Sequence, residues 1–497
     1  MSSTVTDSND VEILKAEIRR LNEIVSKKEF GVENILLLTD SYKVSHHVQY
    51  PPNTTKIYSY FESRGGLHKE VCFFGLQIII KKYLCGSNVV TREKIIEAEK
   101  LYKLHFGPGT NVFNKAGWEY VLETYNGSLP VKIKALPEGT VIPYKNCLFT
   151  LENTDPKCFW LTNFLETLLT HVWYTMTVAT NSREQKKIIL RYLKETGDPA
   201  EIDFKLHDFG YRGVSSVQTA GAGGAAHLTQ FLGTDTVAGI VIARDYYGAE
   251  CAGFSIPASE HSTMTAWKKS KETDAMRNML EQYPKGLMAC VSDSYDIYNA
   301  ATNIWGTELK DQVMARDGTL VVRPDSGDPL EVDLKLLEKL GEKFGYETNE
   351  KGYKVLDPHV RIIQGDGIDI VMLERILEHL KVNGWSADNI AFGSGGGLLQ
   401  KLNRDTQKCA FKCSLAIVDD EEIMVYKEPV TDPGKKSKRG YMSVHRDDEK
   451  NMLFTKFNGE HDFENDEMKT VFENGKLLID YSWEDVKKRA AVTVDML

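Results

Sequence analysis

Arg212, Asp235, His261, Asp293, Arg323, Asp325 and Asp366 each stand in a polar loop that follows a short apolar run: HDFGYRG, GTDT, ASEHST, SDSYD, RPDSG and QGDG. A further loop, GSGGG, supplies Gly393, Gly395, Gly396 and Gly397. The planar fork of arginine matches phosphate oxygens, and carboxylates suit sugar hydroxyls and Mg2+. Glycines permit positive φ and close backbone approach, so their N–H groups and the dipole of a following helix can receive an anion. Taken singly, each residue has a plainer use. An Asp after a strand often caps a helix, Arg323 can serve an ion pair, and His261 can satisfy a turn within SEHST. Capping alone does not require two arginines and a histidine, and together the set points to a phosphorylated sugar.

These groups need elements that hold them at one end of a sheet. The apolar runs 360–363 and 390–392 each stop at a glycine-rich turn and give way to a helical pattern, the strand–loop–helix order of an α/β unit. Two such units in succession read as the phosphate corner of a (β/α) barrel, whose functional groups collect at the C-terminal face. The predicted architecture is α/β, an irregular (β/α) barrel-like domain plus a mixed α+β domain formed from the N- and C-terminal parts. The barrel-like catalytic domain covers 176–424. A mixed N-terminal domain covers 31–175 and is joined by 425–497. Residues 1–30 form an extension, disordered and then helical, with Leu14, Ile18, Leu21 and Val25 on one face. Strands are expected at 34–38 and 56–61, and helices at 73–84, 91–105, 160–173 and 181–193. Between 129 and 154 the alternation predicts a strand pair broken by a turn at Pro137-Glu138-Gly139.

A chain of 497 residues, 42% of them hydrophobic, can bury a large core. Its net charge of −10 gives no pull toward nucleic acid or an anionic membrane, so small molecules or further copies of itself are the expected partners. Eight cysteines without a C-x-x-C pair, no signal-peptide block and no apolar run of membrane length imply a cytoplasmic protein. Other signals fail on inspection. GAGGAA at 221–226 imitates a dinucleotide fingerprint but no buried strand precedes it, so its small residues suit close helix packing instead. No P-loop is present, and the twelve histidines form no zinc-spaced cluster, which leaves a metal to arrive with a phosphate substrate. The basic run Lys435–Arg439 reads as a solvated turn.

The runs NILLLTDSYKVSHHVQYPPNTTKIYSYFESR, ATNSREQKK, KLHDFGYRGVSS, GTDTVAGI, ASEHST, VSDSYDIYNA, VRPDSGDPL, IQGDGIDI and AFGSGGGLLQKLNRD resemble those of the nicotinamide phosphoribosyltransferase family, a type II phosphoribosyltransferase family. The similarity covers nearly everything after Val32. It implies a homodimeric enzyme that joins nicotinamide to 5-phosphoribosyl-1-pyrophosphate, with Mg2+ and with ATP as co-substrate, in NAD salvage. It implies further that Phe209 and Tyr42 of the partner subunit sandwich the pyridine ring, and that Asp235 reads the carboxamide. By the same resemblance Arg212 and Arg323 hold pyrophosphate, and Asp325, Gly365 and Asp366 engage the ribose. Gly395 and Gly396, with Arg404 and Lys412 of the partner subunit, hold the 5-phosphate, and Asp40 of the partner subunit borders the pocket. Asp293 and Asp325 stand near the Mg2+-pyrophosphate. His261 would be phosphorylated by ATP, with Asp293 or Glu260 orienting it. Two departures stand out: Ala410 where the family often has serine, and a short connection from Arg64 to Val71. The alternatives are a nicotinate-using relative, against which Asp235 argues by charge repulsion, and a non-catalytic binding or signalling protein of the same fold.

Overall fold

The computed structural model describes residues 32–107, 109–431 and 436–496. The proposed helix beginning near Asp10 lies outside the described residues, as does Lys435. Two hydrophobic cores organise the rest.

One core forms around a seven-stranded antiparallel sheet. Its strands run in the order Glu421–Met424, Cys409–Val418, Thr54–Ser63, Cys147–Asn153, Val131–Ala135, Lys469–Glu473 and Lys476–Leu477. Chain segments more than 300 residues apart therefore share one sheet: Phe61 faces Phe411 across the strand pair and stacks on Phe149 at 5.0 Å. Cys409–Val418, which the sequence reading places with the barrel-like stretch, lies here. Helices Arg92–His105 and Lys115–Tyr125 contribute Ile95, Ala98, Tyr102, Trp118 and Val121 to this core.

The second core surrounds a five-stranded parallel sheet in the order Leu206–Asp208, Ile390–Ser394, Val360–Gln364, Leu320–Arg323 and Met288–Val291. Strands covered on both faces are apolar almost throughout, as these are. One face meets helices Val172–Thr196, Pro329–Phe344 and Ile370–Val382. On the other, Ala289, Val321 and Ile363 form a small cluster with Phe209, Ile256 and Ala391. Isolated parallel bridges continue from both edges: Asp208 to Thr234, Gly233 to Phe254, and Ala258 to Ala289. The GAGGAA glycines lie in the helix Val217–Leu228, where a Cβ on Gly239 of the neighbouring helix would stand 2.7 Å from the Gly224 carbonyl carbon. Close helix packing is thus their role.

Several local expectations differ. Ile35–Leu37 is a 3-10 turn rather than a strand, because the Asn34 side chain caps Leu36 N–H. The antiparallel piece is present, Val131–Ala135 pairing with Cys147–Asn153, and the Pro137-Glu138-Gly139 turn is closed by Thr140 N–H donating to Pro137 C=O at 3.1 Å, but the turn leads into Val141–Pro143, which crosses to Glu70–Cys72, so it does not join the two paired strands directly. The expected helix 160–173 divides at Leu165 and His171, and the next helix runs unbroken over Val172–Thr196. The basic run is not merely solvated: Lys438 binds the buried Glu62 carboxylate, and Arg439 lies over Tyr426. All eight cysteines are free, and five are buried. Among the described residues no helix is long and apolar enough to cross a membrane.

Candidate active site

The five parallel strands all point the same way, so the loops after their C-terminal ends collect on one edge of the sheet. Strand Leu206–Asp208 delivers Phe209, Met288–Val291 delivers Asp293, Leu320–Arg323 delivers Arg323 and Asp325, Val360–Gln364 delivers Gly365 and Asp366, and Ile390–Ser394 delivers Gly395 and Gly396. The Thr234 bridge adds Asp235, and the Ala258 bridge leads into His261.

Phe209 is central to this edge. Its N–H donates to the Ser394 carbonyl at 2.9 Å, and its ring lies beside His207, with centroids 5.2 Å apart. The Arg323 guanidinium stands over the ring at 5.3 Å, a cation–π contact. Gly393 makes room for the ring, since a Cβ there would fall 1.8 Å from Phe209 Cε2. A Cβ on Gly365 would lie 3.2 Å from the same atom and 3.4 Å from Arg323 Nε. Glycine is therefore needed at 393 for packing an aromatic side chain. The sequence reading gave that glycine to an anion through positive φ; in fact none of Gly393, Gly395, Gly396 and Gly397 adopts positive φ. Gly397 backs onto the Ile368 carbonyl, and Gly396 alone of the four faces open space. The Arg212 turn abuts this loop, with the Cβ direction of Gly213 3.4 Å from the Gly396 nitrogen. Arg212 and Asp366 are exposed.

Asp235 is tied in on the other side of Phe209. Its Oδ1 accepts from His207 Nε2 at 3.0 Å and from Ser255 Oγ at 2.5 Å. Partial burial pushes its carboxyl up, but the His207 hydrogen bond and charge, the Ser255 hydroxyl and the Arg323 charge together hold it below the ordinary value. Asp208, fully buried beneath, caps Gly210 N–H at 2.7 Å, and burial raises its carboxyl to about 6.

A second network joins the remaining charged groups. His261 Nε2 donates to Asp293 Oδ1 at 3.1 Å, while Asp293 Oδ2 accepts from Asp325 N–H at 3.1 Å and Ser326 Oγ at 2.5 Å. Asp325 accepts from Arg323 Nη2 at 2.7 Å and faces His261 Nδ1 at 3.7 Å. His261 begins a short helix whose N-terminal cap is Glu260; that carboxylate engages Ser262, so Asp293 is the group that orients the imidazole. Among the described residues no group of three or more His, Cys, Asp or Glu is arranged to hold a metal ion. Both Asp293 oxygens accept hydrogen bonds from within the protein.

Arg212, Asp235, His261, Asp293, Arg323, Asp325, Gly365, Asp366, Gly395, Gly396 and Phe209 thus share one edge. Tyr42, Asp40, Arg404 and Lys412 do not join it by any contact among the described residues. Tyr42 is 58% exposed and packs on His46, Asp40 accepts from Thr167 Oγ1 at 2.7 Å, Lys412 pairs in the antiparallel sheet, and Arg404 lies 4.0 Å from Asp405. Sequence reasoning missed His207 and Ser255. Their only signal was proximity to Phe209 in KLHDFG and a lone serine in GFSIP.

Residues 204–489 match the model of the nicotinate phosphoribosyltransferase family, and residues 34–133 match that of the nicotinamide phosphoribosyltransferase N-terminal domain. The chain is 49% identical to the nicotinamide phosphoribosyltransferase of Xanthomonas campestris pv. campestris over 467 residues, covering 92% of this chain and 98% of that one. Identity to the protein of the same name from Acinetobacter baylyi is 33%, over 92% and 97% of the two chains. In fold it is similar to nicotinate-nucleotide pyrophosphorylase from Pyrococcus furiosus, with a TM-score of 0.57 at 15% identity over 93% and 97% of the chains. It is also similar in fold to human nicotinic acid phosphoribosyltransferase, with a TM-score of 0.54 at 15% identity over 91% and 93%. The chain belongs to the nicotinate phosphoribosyltransferase family and, within it, to the nicotinamide phosphoribosyltransferases.

Proposed function

We propose that this protein transfers the phosphoribosyl group of 5-phosphoribosyl-1-pyrophosphate to the ring nitrogen of nicotinamide, giving nicotinamide mononucleotide and pyrophosphate for NAD salvage. The observation that carries this reading is the convergence of Phe209, Asp235 and Arg323 on one strand-end edge, beside open Gly396. The pyridine lies on Phe209, and its carboxamide NH2 donates to Asp235. The ring-nitrogen lone pair forms the bond to the anomeric carbon as the bond to pyrophosphate breaks, its electron pair leaving with pyrophosphate. Positive charge develops on the ribose, so orientation and neutralisation of the leaving group suffice and no protein nucleophile is needed. Arg323 and Arg212 meet the pyrophosphate, Asp325, Gly365 and Asp366 meet the ribose, and Gly395 and Gly396 meet the 5-phosphate. Mg2+ belongs with the pyrophosphate as part of the substrate, near Asp293 and Asp325.

The parallel sheet and its edge bridges read as an irregular (β/α) barrel. A homodimer completes the site: Tyr42, Asp40, Arg404 and Lys412 stand apart from the edge of their own chain, and Tyr42 presents an exposed ring. Tyr42 of the partner subunit closes the aromatic sandwich. Coupling to ATP goes through His261. With Nε2–H bound to Asp293, Nδ1 holds the free lone pair, attacks the γ-phosphorus and releases ADP; water later cleaves the phosphohistidine to phosphate. Geometry supports this in that the imidazole is oriented by Asp293 and its side chain is 47% exposed.

Pyrophosphate release measured with nicotinamide, with nicotinate and with no base tests the reading. Release that depends on nicotinamide is expected. Faster release with nicotinate would favour the nicotinate-using alternative, and binding of base without release would favour the non-catalytic one.

A further inference from the structure

Three short segments beside Phe209 are zipped together by backbone hydrogen bonds. Asp208 N–H donates to Gly233 C=O at 3.1 Å and Asp235 N–H to Asp208 C=O at 3.0 Å; Thr234 N–H donates to Phe254 C=O at 2.9 Å and Phe254 N–H to Leu232 C=O at 2.7 Å. In extended segments side chains alternate, so His207 and Asp235 lie on the face opposite buried Asp208 and Thr234, and Ser255, from the third segment, reaches the same carboxylate. Both His207 Nε2 and Ser255 Oγ aim at the same Asp235 oxygen. An ionised carboxylate only accepts, so Nε2 carries a proton and the hydroxyl hydrogen points at Oδ1. Two donors engage that oxygen, leaving Oδ2 as the acceptor available to a ligand. The His207 ring is itself fixed. Phe209 lies against it, and Gly233 lies beneath it, where a Cβ would come 2.8 Å from Nδ1. Gly233 is absent from the positive-φ glycines, so the ring and not the backbone excludes a side chain there.

Resting on the nicotinamide reading above, we propose that His207 and Ser255, with Gly233 as the floor of the His207 ring, are the positioning residues that select amide over acid by fixing Asp235 as a single-oxygen acceptor. Neither side chain need touch the base. A fixed, acceptor-only Oδ2 receives a carboxamide NH2 and repels a carboxylate, whereas a carboxylate released from both donors can rotate away or take up a proton, and then tolerates the acid. His207 also couples the two halves of base recognition, since one ring touches the aromatic platform and the amide acceptor.

The test is the ratio of kcat/KM for nicotinamide to that for nicotinate, in the full-length protein. Ser255 is exposed, so Ser255→Ala should fold as the parent does; Gly233→Ala displaces the ring without altering any hydrogen-bonding group. Each is expected to lower the ratio about tenfold, the loss of one charge-assisted hydrogen bond, through KM for nicotinamide rather than kcat. Ser255→Thr should restore the ratio. A ratio within twofold of the parent in both alanine variants, with thermal melting unchanged, overturns the proposal while Asp235→Asn still loses selectivity and leaves the nicotinamide reading standing. A parent protein that itself prefers nicotinate overturns both.

Discussion

The two ends of the site are built differently. At the proposed base end, Asp235, His207, Ser255, Phe209 and Arg323 hold one another through their own side-chain contacts, and Gly393 and Gly233 leave room for the Phe209 and His207 rings. At the proposed phosphate end, Gly396 faces open space and Arg212 and Asp366 are exposed. The contrast teaches where preorganisation is needed. On the proposed function, distinguishing an amide from an acid would rely on one carboxylate held in one geometry, while a dianionic phosphate would be captured by any adequate set of donors, including those a second subunit would bring.

The largest expected effect breaks the link between the ends. Arg323 touches Phe209 on one side and Asp325 on the other. Arg323→Ala should lower turnover by about 10^3-fold, the scale for removing a preorganised charge from a leaving group, with steady-state pyrophosphate release as the readout. Gly393→Ala attacks the base end alone: its Cβ cannot coexist with the Phe209 ring, and kcat/KM for nicotinamide should fall by about 10^2-fold while KM for 5-phosphoribosyl-1-pyrophosphate changes far less. His261→Ala should leave both ends intact, so transfer persists without ATP and ATP no longer raises the rate; a variant still stimulated by ATP removes the phosphohistidine step.

The smallest effect is a stability change beneath the base end. Burial raises the Asp208 carboxyl to about 6, above its unfolded value. A raised folded-state pKa contributes stability that is full below about pH 4 and is lost as pH rises through about 6. Asp208→Asn keeps an oxygen for Gly210 N–H and cannot ionise. Its stability relative to the parent, followed by urea denaturation, should therefore improve by about 2 kcal/mol between pH 4 and pH 7. An unchanged difference across that range would show that folding does not raise the Asp208 carboxyl.

The order of strand, loop and helix around the glycine-rich and arginine-bearing loops was the more legible in sequence, though not the conformation of their glycines. Glycines and charged residues stand directly after apolar runs, so strand, loop and helix could be read locally and their shared edge inferred. Much of the base end was not. His207, Asp235 and Ser255 come from three segments joined by single bridges rather than long strands, and nothing in KLHDFG or GFSIP announces that a histidine and a serine will meet one carboxylate oxygen. The antiparallel sheet was hidden for a similar reason. Phe61 and Phe411 become neighbours only through pairing across most of the chain, and Val141–Pro143, just past the Pro137-Glu138-Gly139 turn, finds its partner in distant Glu70–Cys72. Asn34 shows the opposite case, in which one local cap overrides an apolar run that otherwise resembles a strand.

Replacing the amide acceptor itself tests the central claim most directly. The parent and Asp235→Asn should be compared for kcat/KM with nicotinamide and with nicotinate under saturating 5-phosphoribosyl-1-pyrophosphate. The parent is expected to favour nicotinamide and the variant to lose most of that preference; the same preference in both would mean that the carboxamide is recognised elsewhere.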